Sequence, residues 1–157
     1  MTYNVLFVCL GNICRSPMAE AVFRETARRN GKADQFDVID SCGTSGFHIG
    51  DHPDSRTLEV CNRNNVPIKH EGRALSENDF YNFDYIFAMD NSNLANINRM
   101  KPKDSKAVVS LIGAHRTDKS FPEIVDDPYY GGKSGFQRAY EQLTHFSEVF
   151  LKHLEDN

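Results

Sequence analysis

Apolar residues along this chain follow two periods. Tyr3 to Cys9 (YNVLFVC) is a continuous β-prone apolar run, which predicts a strand buried on both faces. Ser16-Pro17 follows, an N-cap and then proline at the first helical position. Beyond it Met18, Ala21, Val22 and Phe23 fall on one side of a helical segment, with charge on the other, up to Gly31. The pattern next predicts a strand over Phe36 to Ser41, a glycine-rich loop over Cys42 to Asp54, a helix over Ser55 to Asn65 and a short one near Ser76 to Asn82.

Asp84 to Met89 reads as a third strand, Ser92 to Met100 as a helix and Ala107 to Ile112 as a fourth strand. After a long loop, Gly113 to Lys133, the residues Phe136, Ala139, Tyr140, Leu143, Phe146, Phe150 and Leu154 recur at helical steps. Strands alternating with helices imply an α/β fold, a four-stranded parallel sheet flanked by helices on both faces. Neither a linker nor a repeat interrupts residues 1–157, so they read as a single domain. In such folds the loops at the carboxyl ends of the strands gather on one edge and bind ligands there. Three loops are therefore expected to meet: Cys9–Ser16, Cys42–Asp54 and Gly113–Lys133.

Charge narrows the partners. The net charge of −4 provides no broad basic field, so neither nucleic acid nor an anionic membrane is an expected partner. An anionic substrate must be captured by local donors. No apolar run is long enough to span a bilayer, and Val5 to Leu10 is too short for a signal-peptide core, so a cytoplasmic protein is expected. In that compartment Cys9, Cys14, Cys42 and Cys61 are expected as reduced thiols, and no C-x-x-C pair suggests zinc. His48 and His52 are the other metal candidates, but Gly50 and Pro53 break any helix that would align them. Neither metal nor cofactor is expected.

The candidate chemistry lies at C-L-G-N-I-C-R-S, Cys9 to Ser16, between the buried strand and the first helix. Backbone N–H groups and the helix dipole create an anion site at such a junction. Gly11 and Asn12 tolerate left-handed backbone angles and can curl the loop into a nest of N–H groups. Arg15 adds a planar fork for two phosphate oxygens. Cys9 sits at the base, where the positive surroundings favour its thiolate. A proton donor for the leaving group should come from another loop on the same edge, and the residues alone leave Asp126 and Asp127 as equal candidates.

V-C-L-G-N-I-C-R-S-P-M-A-E resembles the active-site loop of the low-molecular-weight protein tyrosine phosphatases. The resemblance continues through D-S-C-G-T-S-G-F-H-I-G, F-D-Y-I-F-A-M-D-N-S-N-L and D-D-P-Y-Y-G-G, over almost the full chain. It implies hydrolysis of phosphotyrosine in proteins, and of small aryl phosphates, through a phosphocysteine, with inorganic phosphate as product. Under it Cys9 is the nucleophile, Arg15 the phosphate clamp and Asp127 the general acid, while Ser16 supports the thiolate. Leu10, Gly11, Asn12, Ile13 and Cys14 complete the phosphate-binding loop, and Ser41 with His70 buttresses Asn12. Cys14 resembles the family's second cysteine, able to trap oxidised Cys9 as a disulfide; the plainer reading is an apolar filler. Cys42 stands where alanine is commoner and Phe47 where tryptophan is frequent.

Phe47, Tyr129 and Tyr130 are expected to wall a cleft deep enough for a phenyl ring and too deep for phosphoserine; otherwise they are semi-exposed loop aromatics. Three rival readings share features of this chain. Thiol-dependent arsenate reductases need a relay of further cysteines, and none follows Cys61. Protein-arginine phosphatases of the same fold typically carry threonine where this chain has Ile13. A phosphate-binding or redox-sensing module without catalysis needs neither a nucleophile nor an acid.

Overall fold

The structure is a computed structural model that describes residues 1–129 and 131–156. Its sheet consists of β1 (Tyr3–Cys9), β2 (Phe36–Gly43), β3 (Tyr85–Ala88) and β4 (Val108–Leu111). The strands are parallel in the order β2-β1-β3-β4, so β1 has neighbours on both sides. Five α-helices accompany them: α1 (Arg15–Arg29), α2 (Ser55–Arg63), α3 (Asp79–Asn82), α4 (Asn91–Met100) and α5 (Lys133–Glu155).

The apolar run in β1 has the expected cause. Val5, Leu6, Phe7 and Val8 are wholly buried, and alternation along the strand sends them to two cores. Val5 and Phe7 join Phe23 of α1, Phe87 of β3 and Phe150 of α5. Leu6 and Val8 join Phe80 of α3, Ile86 of β3 and Ile97 of α4. The first core is largely aromatic, with Phe7 5.5 Å from Phe23 and Phe150 4.8 Å from Phe87 between ring centroids. Truncating a ring such as Phe7 to alanine would cost about 3–5 kcal/mol.

Several expectations need correction. Ser16 is not an N-cap: α1 begins at Arg15, its N-cap position is Cys14, and no side chain caps it. The Ser16 hydroxyl is turned instead toward Cys9. Nor is the charged face of α1 free, since Glu20 and Glu25 are buried. Each has side-chain partners, Arg24 and the His70 ring for Glu20, Arg28 and Arg29 for Glu25. Cys42 does not open a loop, because β2 continues to Gly43 and places it in the second core.

Candidate active site

The loop between β1 and α1 is shaped by one residue with a left-handed backbone. Asn12 has φ 56°, a conformation that asparagine tolerates better than most side chains. Gly11, expected to share that role, does not take positive φ among the described residues. What requires glycine there is close approach: a Cβ would lie 3.1 Å from the His48 ring. Under the loop, a Cβ on Gly43 would come within 2.8 Å of the Leu10 carbonyl. That approach lets β2 hold the loop by its backbone, Thr44 N–H donating to Cys9 O (2.9 Å) and Ser45 N–H to Leu10 O (3.0 Å).

The Asn12 side chain uses its full hydrogen-bonding capacity. Its amide donates to Ser16 Oγ at 2.8 Å and Ser41 Oγ at 3.1 Å. Its carbonyl accepts from His70 Nε2 at 2.7 Å and from Arg73 N–H at 3.0 Å. Ser41 in turn donates to Glu20 Oε1 at 2.9 Å, and His70 Nδ1 lies 3.2 Å from the same oxygen. Burial pushes the Glu20 carboxyl up, but His70, Arg24 and Ser41 outweigh it and hold it below the ordinary range. Ser41 and His70 thus both contact the Asn12 side chain. Glu20, Asp40 and His70 are close enough to suggest a metal site, yet Asp40 is also paired with Arg73 at 2.9 Å. The cluster is organised by pairing with cations.

Cys9 is buried, its Sγ 3.0 Å from Ser16 Oγ and accepting Asn12 N–H at 3.3 Å. Arg15, also buried, donates from Nη1 to Asp90 Oδ2 at 2.6 Å and to Val125 O at 2.9 Å. Burial alone would weaken its charge; Cys9, Asp90 and Asp127 outweigh that and raise its affinity for the proton. Burial pushes the Cys14 thiol up to about 12, with Asp54, Cys9 and Asp127 adding to the effect.

These groups open into a cleft of ≈ 260 Å³. Cys9, Leu10, Gly11, Ile13, Cys14 and Arg15 form its base and one side. Ser45, Phe47 and His48 come from the second loop, and Asp127 and Tyr129 from the third, so the three loops do meet. Asp127 Oδ2 is 3.6 Å from Arg15 Nη2, while its Oδ1 accepts Tyr129 N–H at 3.0 Å. Asp126 is exposed and does not line the cleft. Phe47 is 87% exposed at the rim. Asn12, Ser16, Ser41 and His70 lie behind the lining, and Tyr130 lies outside the described residues.

Sequence reasoning missed Asp90, Arg73 and Arg56. Asp90 had a signal, a carboxylate directly after a buried strand on the ligand-binding edge, where it also caps α4. Arg73 and Arg56 stand in segments whose patterning gives no hint of what they reach.

A sequence model of the low molecular weight phosphotyrosine protein phosphatases matches residues 4–157. A protein of that description from Schizosaccharomyces pombe is 59% identical over 154 residues, covering 97% of this chain and 98% of the relative. Among solved structures, a protein tyrosine phosphatase from Entamoeba histolytica superposes with a TM-score of 0.93 at 37% identity, covering 99% of this chain and 98% of the other. An arginine phosphatase from Drosophila superposes with a TM-score of 0.89 at 38% identity, covering 97% and 98%.

Proposed function

Because this chain belongs to the low molecular weight phosphotyrosine protein phosphatase family, we propose that it hydrolyses phosphotyrosine in proteins, with Cys9 as nucleophile, Arg15 as clamp and Asp127 as acid. The convergence of Cys9, Arg15 and Asp127 on one aromatic-rimmed cleft carries this reading. Loop N–H groups and Arg15 hold the phosphoryl oxygens and neutralise charge that builds on them. The Cys9 thiolate attacks phosphorus, the bond to the tyrosine oxygen breaks, and Asp127 protonates the departing phenolate. Asp127, now ionised, takes a proton from water; the water oxygen attacks the phosphocysteine and inorganic phosphate leaves.

Cys9 is buried while Phe47 stands exposed at the rim, an arrangement that favours a phenyl ester over the shorter phosphoserine. Ile13 lines the same cleft, and its apolar bulk beside the phosphate loop favours an aryl ester over a polar guanidino phosphate. Arsenate reduction lacks its relay, since Cys42 and Cys61 are wholly buried in the two cores. All four cysteines are free and no helix of the described residues is long and apolar enough to cross a membrane; a cytoplasmic site of action accords with both.

The deciding measurement is kcat/KM on phosphotyrosine, phosphoserine and phosphoarginine peptides, beside an arsenate-reduction assay. Phosphotyrosine is expected to exceed the others by orders of magnitude, and Cys9→Ser to abolish turnover. A preference for phosphoarginine, or arsenate turnover, would overturn the assignment.

A further inference from the structure

Arg56, in the first turn of α2, lines no part of the cleft, yet it touches both sides of the chemistry. Its guanidinium is gripped by Asp54, Nε to Oδ1 and Nη2 to Oδ2, each at 3.0 Å. Nη2 also donates to Tyr129 O at 3.0 Å, and Nη1 to Gly131 O at 3.3 Å. The Arg56 Cζ lies over two rings, 4.5 Å from the Phe136 centroid and 5.6 Å from that of Tyr129. One side chain therefore clamps the segment just after Asp127 at two carbonyls and one ring.

The same turn of α2 is fastened to the phosphate loop. Asp54 N–H donates to Ile13 O at 2.8 Å, and Thr57 Oγ1 to Cys14 O at 3.4 Å. Asp54 thus contacts the loop of Cys9 with its backbone and Arg56 with its carboxylate. The chain Ile13–Asp54–Arg56–Tyr129 is a hydrogen-bonded link between the Cys9 loop and the Asp127 loop, separate from the Arg15–Asp127 contact.

We propose that Arg56 is a positioning residue that sets where Asp127 stands over Cys9, acting through the Tyr129 and Gly131 carbonyls. The proposal rests on the reading of Asp127 as the general acid. A planar fork is required, because lysine carries the charge but its three donors on one nitrogen cannot make the four spread hydrogen bonds that Arg56 makes. Loss of the fork leaves the phosphate cradle intact and lets the acid drift, and a displacement of about 1 Å can cost on the order of 100-fold in rate.

The test measures kcat/KM for aryl phosphates of graded phenol acidity, from 4-nitrophenyl phosphate to phosphotyrosine, in wild type, Arg56→Ala, Arg56→Lys and Asp127→Ala. Inorganic phosphate inhibition and the thermal midpoint are read on each, with Arg56→Gln replacing alanine should that variant not fold. Asp127→Ala is expected to lose about 10²–10⁴-fold on phosphotyrosine and far less on the nitrophenyl ester. Arg56→Ala and Arg56→Lys should show the same dependence at about 10–100-fold, with phosphate inhibition within about twofold of wild type. A loss equal on every substrate, or weakened phosphate inhibition, would make Arg56 a general prop and overturn the proposal. Full activity in the lysine variant would reduce its role to charge and overturn it too. A flat Arg56→Ala beside a steep Asp127→Ala defeats this inference alone; a flat Asp127→Ala defeats the assignment of the acid.

Discussion

Replacing Asp90 with alanine removes two interactions at once. Oδ1 accepts Asn93 N–H at 2.8 Å and caps α4, while Oδ2 accepts Arg15 Nη1 at 2.6 Å. Losing the cap costs about 1 kcal/mol. Removing one partner of a buried ion pair typically costs about 3–5 kcal/mol. Here about 2 kcal/mol is a better figure, because the Asp90 side chain is 24% exposed and Asp127 remains near the same guanidinium. The sum, about 3 kcal/mol, corresponds to a fall of about 6–12 °C in thermal midpoint for a chain of this size. Asp90→Asn is the sharper probe. It has one oxygen for two duties: serving the cap turns its NH₂ toward Arg15, donor against donor, and serving Arg15 forfeits the cap. A loss of about 1–2 kcal/mol is expected, with a weaker grip of Arg15 on phosphate. Urea denaturation and the inhibition constant for inorganic phosphate measure the two effects. If Asp90→Asn matched wild type in both, the pair would not be what holds Arg15 in register.

Two further outcomes follow from the buried thiols. Cys14→Ser should keep substantial turnover but recover less activity after peroxide and then thiol; because burial holds Cys14 as a thiol, closure of its disulfide with oxidised Cys9 should quicken as pH rises. Equal recovery would make Cys14 a packing residue. Burial also raises Cys14 and Cys61 from 9.0 to about 12, so the unfolded chain releases these protons first; stability is complete below about pH 9 and is lost as pH rises toward about 12. Urea unfolding across that window should show this slope in wild type and a shallower one in Cys61→Ala; equal slopes would contradict the assignment.

What the pattern of residues reveals depends on how local each cause is. β1 and α5 are legible because burial on both faces, or on one stripe, leaves a period in the sequence. Cys9 and Arg15 are legible because a strand end, a loop and a helix start adjoin in the chain. Ser16 misleads for the same reason: the rule for N-caps is local, while its hydroxyl is claimed by Cys9 and Asn12. Glu20 breaks the amphipathic pattern of α1 because Ser41 and His70, far along the chain, make its burial tolerable. Gly11 was assigned the wrong cause, since nothing adjacent to it announces the His48 ring. Arg56 is legible only as far as its neighbour Asp54; the Tyr129 and Gly131 carbonyls it also reaches are backbone groups that any sequence supplies.

The placement of β1 in the sheet has a consequence for biosynthesis. Cys9 and Arg15 leave the ribosome well before the carbonyl that Arg15 bonds, at Val125, which lies 110 residues later. At about 5–20 residues per second, that interval is about 6–22 s. Throughout it the nascent chain carries Cys9 without the carbonyl that holds Arg15 and without Asp127. The aromatic core that seats β1 also waits for Phe136 and Phe150 of α5. The cleft is therefore assembled only after α5 has emerged, and a nascent chain stalled before that point leaves Cys9 open to oxidation.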